Sequence, residues 1–228
     1  MMLSIVIPSY SEAENLTTLL PELRRVSREL TRDVEIIVID TMEPTDNTEE
    51  VCQKLGVRYV RRENSDNYGD AIRTGIKEAK GKYVITMDAD GSHSAEFVLQ
   101  LWNKRADADI VIASRFMPGG STDNPFMLTA MSKILNFFFR HITGVTVFDT
   151  SNSFRLYQGD LLRDQRLVCL HFDVLQELLV KMAHHDLTRV MEIPYHFRER
   201  LSGRSKRRLL QFGLNYLVTL HMLRKSIR

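Results

Sequence analysis

Tyr83-Val84-Ile85-Thr86-Met87-Asp88-Ala89-Asp90 is a short apolar, β-branched run that stops at two carboxylates. Such a run reads as a strand buried on both faces. In extended chain, residues i and i+2 point the same way, so Asp88 and Asp90 are expected together at the strand's carboxyl end. Two hard oxygen donors suit Mg²⁺ or Mn²⁺, a metal usually shared with substrate phosphates. His93 follows closely, but it has no second histidine at ligand spacing and is read as structural.

Working outward, the same pattern recurs. Leu3 to Ile7, ending at Pro8, Val34 to Ile39, ending at Asp40, and Ile110 to Ala113, ending before Arg115, are apolar strand-like runs. Val57 to Val60 is a weaker one. Helical periodicity lies between them: from near Glu12 through Val26, where Ser11 and Glu14 have capping-box spacing; a short helix through Val51 and Leu55, with Asp46 as its cap; Tyr68 to Lys80; and Ser94 to Arg105. Strands alternating with helices predict an α/β fold, a mostly parallel sheet with helices on both faces. Ligands of such sheets bind beyond the carboxyl ends of the strands. Tyr10, Asp40, Asp88, Asp90 and Arg115 all lie at such ends.

The second half is less regular. Arg115 to Phe126 reads as a loop, Leu128 to Ile142 as a strongly apolar helix, Asn152 to Tyr157 as a strand and Phe172 to His184 as a helix. Val190 to Phe197 reads as an edge strand broken by Pro194. For Phe137 to Phe139, ordinary core is preferred over a lipid-facing role.

Of the 228 residues, 43% are hydrophobic and 26% charged, with net charge +2, which excludes disorder and gives no reason to expect a nucleic-acid partner. Cys52 and Cys169 stand at no metal-ligand spacing and are expected as reduced thiols. With no signal-peptide pattern and no span-length apolar run, a cytoplasmic protein is expected, peripheral on the membrane. Six basic residues and one acidic lie between Arg198 and Arg208, before a broadly apolar stretch from Leu209 to Leu223. That stretch is expected as an amphipathic helix buried against the domain, a partner or the bilayer interface.

Together these motifs resemble the inverting family two glycosyltransferases, and within them the dolichyl- or polyprenyl-phosphate sugar synthases. Val6-Ile7-Pro8-Ser9-Tyr10-Ser11-Glu12 is similar to V-I-P-T-Y-N-E, Asn67-Tyr68-Gly69-Asp70-Ala71 to G-x-G-x-A, and Met87 to His93 to M-D-A-D-x-x-H. Ile112 to Phe116 is similar to I-G-S-R-Y, and Arg200 to Lys206 to R-x-x-G-x-S-K. The resemblance implies a Rossmann-like A-type glycosyltransferase fold over residues 1–208, with 209–228 as a C-terminal helix facing membrane or partner. It implies a nucleotide-diphosphate sugar as donor, GDP-mannose or a UDP-sugar, and a lipid-phosphate acceptor. Pro8, Tyr10, Glu12, Asp40, Gly69 and Ala89 would line the donor site, with the metal, Mg²⁺ or Mn²⁺, at Asp88 and Asp90. Arg115, Arg200, Ser205 and Lys206 would meet phosphates.

The chain departs from the pattern at three places. Thr41 replaces the second aspartate of a D-D pair, Ser92 stands where some synthases have glutamine, and Leu128 occupies an acceptor-site arginine position, leaving Ser132 and Lys133 nearby. A hydroxyl acceptor is the alternative. It would need a carboxylate base, and Asp149 is the candidate.

Overall fold

A computed structural model of the chain describes residues 1–185, 188–199, 219–220 and 222–224. Its seven-stranded sheet has the order β3-β2-β1-β4-β7-β5-β8. The strands are β1 (Leu3–Pro8), β2 (Val34–Asp40), β3 (Arg58–Arg61), β4 (Tyr83–Thr86), β5 (Ile110–Ser114), β7 (Arg155–Gln158) and β8 (Val190–Pro194). Helices α1 (Ala13–Leu30), α2 (Thr48–Lys54), α3 (Tyr68–Glu78) and α4 (Phe97–Asn103) connect the first five strands. Then come α5 (Phe126–Thr143), α6 (Gly159–Arg163) and α7 (Val174–Ala183), and a small parallel pair, β6 (Ser121–Thr122) with β9 (His196–Phe197).

The two-residue strand period sorts side chains to two cores. Leu3, Ile5, Ile7, Ile36, Val38 and Val111 join Leu16, Leu20 and Leu23 of α1 on one face. Val6, Ile37, Ile39, Ile110 and Ile112 join Ile72 of α3 and Leu175, Leu178 and Leu179 of α7 on the other. Each fully buried leucine of α1 contributes about 1.5–3 kcal/mol relative to exposure.

The mostly parallel sheet matches the sequence reading, with one addition. β7 enters antiparallel between β4 and β5. Its N-terminal side therefore lies at the carboxyl edge of its neighbours, and residues 149–153 arrive there.

The Ser11–Glu14 capping box does not form. Ser11 is left-handed (φ 56°) and its hydroxyl pairs with Thr45 Oγ1 at 2.7 Å. Asp46 caps instead: Oδ2 accepts from Ala13 N–H at 2.9 Å, and Oδ1 from Thr48 N–H at 3.0 Å, so one carboxylate serves the starts of α1 and α2.

In the Phe137 to Phe139 run of α5, only Phe139 is core. Phe137 and Phe138 are 58% and 51% exposed, along with Phe126, Met127 and Ile134. Cys52 and Cys169 are free and buried, as expected. Among the described residues no helix is long and apolar enough to cross a membrane. The expected division at 208/209 lies outside the described residues. Near the C-terminus, Leu220 and Leu223 are buried in the second core, and Thr219 donates to Asp173 Oδ2 at 2.6 Å.

Candidate functional site

At the ends of β1, β2 and β3, buried polar groups gather. Asp40 closes β2 with its carboxylate buried; Tyr59 donates to Oδ2 at 3.1 Å, and Oδ1 meets no donor. Burial pushes its pKa up, which the Thr41 amide and the Tyr59 hydroxyl only partly offset. Arg62, missed in the sequence, reaches across: its Nη2 donates to Ser9 O at 2.5 Å and its Nη1 to Asp66 O at 2.5 Å. Its Nε and the Ser9 hydroxyl have no partner. Pro8 is buried beside them, in register with Ile39, and Tyr10 is exposed. Glu12 accepts from Asn15 Nδ2 at 2.6 Å. Thr41, at the position of the missing aspartate, turns its hydroxyl to Glu43 O.

The β4 strand stops at Thr86, so Asp88 and Asp90 sit on the bend after it, which includes Gly91 at φ 81°. Here the strand-alternation argument stops short of the carboxylates, and local hydrogen bonds orient them. Ser92 donates to Asp90 Oδ1 through both Oγ (2.5 Å) and N–H (3.1 Å). Tyr68 Oη donates to Asp88 Oδ1 at 3.3 Å, while its ring stacks on Phe172. Ala89 between them is buried. Among the described residues no three His, Cys, Asp or Glu side chains gather as metal donors. Two hard carboxylates alone fit a Mg²⁺ or Mn²⁺ that takes its remaining oxygens from phosphates and water.

Gly69 answers to packing. A Cβ there would lie 2.2 Å from Cys169 O, and its N–H donates to Leu170 O at 2.8 Å. The glycine lets α3 meet the loop before α7.

Across β7 stands Arg115, 8% exposed, gripped by a fully buried Asp149. Nε donates to Oδ2 at 2.7 Å and Nη2 to Oδ1 at 2.8 Å, in bidentate geometry; the Arg115 amide adds a third bond at 3.1 Å. Asp149 also accepts from the Asn152 amide at 3.1 Å. The Arg115 charge and these hydrogen bonds outweigh burial and hold the Asp149 carboxyl below the usual carboxylate range. Fully engaged and shifted that way, Asp149 is built to orient Arg115 and is poorly suited to take a proton. Glu192 of β8 holds the turn, accepting from the Phe148 and Asp149 amides at 2.7 and 2.9 Å. Arg155, fully buried, donates to Asn152 O, Thr150 O and Leu175 O. Neither Glu192 nor Arg155 carries a sequence signal, because their partners are backbone atoms, which every residue type presents.

The start of α5 lies beside this pair: Arg115 and Lys133 both sit over the Phe116 ring, at 4.8 and 6.0 Å. Ser132 uses its carbonyl to accept from Asn136 Nδ2. Arg200, Ser205 and Lys206 lie outside the described residues. The last described residues before them lie at the site: Arg198 N–H points to Ser92 O at 3.4 Å and Phe197 packs 5.3 Å from the Arg115 guanidinium.

Comparisons with known proteins fit this arrangement. The chain is 31% identical over 216 residues to the dolichol-phosphate mannosyltransferase of Pyrococcus furiosus, covering 90% of this chain and 59% of the relative. It therefore spans well under two thirds of that relative's length. It is 29% identical to the polyprenol monophosphomannose synthase of Mycolicibacterium smegmatis, over 89% of this chain and 79% of the relative. The fold matches glucosyl-3-phosphoglycerate synthase from Mycobacterium tuberculosis, solved with Mn²⁺, uridine diphosphate and phosphoglyceric acid. The TM-score is 0.76 at 18% identity, over 98% of this chain and 78% of that one. The model of glycosyl transferase family 2 matches residues 4–166. By that match and these relatives, the chain belongs to glycosyl transferase family 2.

Proposed function

We propose that the chain transfers a sugar from a nucleotide-diphosphate donor, GDP-mannose or a UDP-sugar, to a polyprenyl-phosphate acceptor at a membrane surface. One observation carries this reading: Asp40, Asp88 with Asp90, and Arg115 stand in sequence along one edge of the sheet, at the ends of β2, β4 and β5. Four strand spacings separate β2 from β5, about 19 Å, room for a base, a diphosphate and a second phosphate in line. The Asp40 pocket takes the base or ribose. A divalent metal on Asp88 and Asp90, when bound, neutralises the departing nucleoside diphosphate. The same-fold synthase crystallised with Mn²⁺ and uridine diphosphate supports that assignment.

The reaction is an in-line displacement: an acceptor oxygen bonds to the anomeric carbon as its bond to the diphosphate oxygen breaks, with inversion. Arg115, oriented by Asp149, offsets repulsion between the two phosphate groups. A phosphate anion is already a nucleophile, so no general base is needed. That suits a site whose candidate base, Asp149, is tied to an arginine. A hydroxyl acceptor is less favoured for the same reason.

α5 supports the lipid part. Its exposed face carries Phe126, Met127, Ile134, Phe137 and Phe138, and the helix contains Lys133, Arg140 and His141 but no acidic residue. An apolar face with basic flanks suits an anionic bilayer interface. The relatives named for dolichol-phosphate and polyprenol substrates point the same way.

The test is calorimetric titration with GDP, UDP and their mannose, glucose and N-acetylglucosamine conjugates, with and without Mn²⁺. Metal-dependent binding of one nucleotide, lost in Asp90→Ala, is the expected result. No binding of any nucleotide under either condition would refute the donor assignment.

A further inference from the structure

We propose that His93 is a positioning residue that ties the Asp88–Asp90 bend to the Arg115 side of the cleft; this rests on reading those carboxylates as the metal and diphosphate site. His93 is 1% exposed, and both ring nitrogens are used. Nδ1 accepts from the Asp88 N–H at 2.8 Å. That bond requires the proton on Nε2, which donates to Asn152 Oδ1 at 3.1 Å. Asn152 donates its own Nδ2 to Ala113 O at 2.6 Å, which fixes Oδ1 as the end facing the ring. The Asn152 amide donates to Asp149, and Asp149 grips Arg115. An unbroken hydrogen-bonded chain thus runs from the backbone of the metal carboxylate to the guanidinium, through elements that flank β7.

The location explains why a side chain makes this bridge. Met87 N–H is the last of the β4 edge to pair with β1, donating to Val6 O. The next amide, Asp88, belongs to no strand ladder, and the imidazole accepts its hydrogen bond. Phe154 stacks on the ring at 4.7 Å, and Tyr195 and Phe197 present edges at 6.2 and 5.6 Å. Tyr195 Oη donates to Ser92 O at 2.7 Å, pinning the loop between the ring and the bend. In this dry surrounding the polar chain is rigid, since each group has no better partner available. With both nitrogens occupied, the ring is not a metal ligand. It holds the carboxylates at a set offset from Arg115, the spacing that a diphosphate and a second phosphate would have to match.

The experiment measures affinity of the full chain for GDP and UDP by calorimetry, with and without Mn²⁺, alongside thermal unfolding. It uses wild type, Asp90→Ala, His93→Gln and Asn152→Ser. Asn152→Ser leaves the ring in its aromatic slot and removes its anchor together with the bond to Ala113 O, so it decides the matter if His93→Gln does not fold. His93→Gln is expected to lose about tenfold of the Mn²⁺-dependent gain in affinity, and Asn152→Ser a smaller part of it, with metal-free affinity unchanged. A merely structural lesion would lower both affinities by one factor. That result, or a full Mn²⁺ gain in the folded variants, would overturn the proposal. A wild type with no Mn²⁺-dependent gain would instead refute the metal-site reading and take this inference with it.

Discussion

The two sides of the proposed cleft are built on opposite terms. On the donor side, β1, β2 and β3 end in buried polar atoms that meet no partner: Asp40 Oδ1, the Ser9 hydroxyl and Arg62 Nε. Across β7, Arg115, Asp149, Asn152, Glu192 and Arg155 satisfy one another or nearby backbone. Buried groups without partners cost stability and suit a ligand that supplies the missing bonds. A saturated network stabilises a fixed geometry instead. The chain therefore carries an unfinished pocket where the base or ribose is proposed, and a preassembled clamp where phosphates are proposed.

The sharpest way to break this contrast is to open the clamp. Arg115→Ala strands a buried carboxylate and should lower unfolding free energy by roughly 3–5 kcal/mol, measured by urea titration. Replacing both partners, Arg115→Leu with Asp149→Leu, should recover much of that loss. If Arg115→Ala proves neutral, the clamp is not the stabilising unit described.

The pocket should behave in the opposite way. Asp40→Asn is expected to leave stability unchanged or raised at neutral pH, yet weaken nucleotide binding by about tenfold. The pH dependences should oppose each other too. Asp40 has a raised folded pKa, so the native state binds the extra proton, and stability falls as pH rises from the ordinary carboxylate range through the raised value. Asp149 has a depressed one, so its contribution is present above the ordinary range and is lost as pH falls toward the depressed value. Unfolding curves from acid to neutral pH for Asp40→Asn and wild type separate the two: the variant's advantage should vanish at the acid end. A constant difference across that range would contradict the Asp40 shift.

The smallest effect on folding belongs to the outer face of α5. Phe137→Ser with Phe138→Ser should change stability by no more than about 0.5 kcal/mol per site, because both side chains are already half in solvent. Flotation with anionic phospholipid vesicles should nevertheless fall clearly. Equal flotation of variant and wild type would remove α5 from the membrane argument.

Much of the donor side was legible in the sequence. Leu3 to Ile7, Val34 to Ile39 and Tyr83 to Thr86 are strands because apolar, β-branched runs bounded by polar residues have few other ways to hide both faces. Their carboxyl ends located Asp40, Asp88 and Asp90 with no knowledge of pairing. The capping box at Ser11 misled, because Asp46 from a distant loop caps the Ala13 amide and the Ser11 hydroxyl turns to Thr45 instead. The phenylalanine run on α5 misled as well, since composition does not say which side of a helix meets the sheet.

By itself, then, the sequence determined the alternation of elements, the edge of the sheet on which the polar residues gather, and the family motifs, all of which are local or periodic properties of the chain. Only the tertiary structure decided that β7 runs antiparallel between β4 and β5. That reversal delivers Asp149 and Asn152 to the carboxyl edge and turns a candidate base into the partner of Arg115. The reason is physical: strand insertion and ion pairing between Arg115 and Asp149 depend on contacts across 34 residues of chain, and no window of sequence contains both ends.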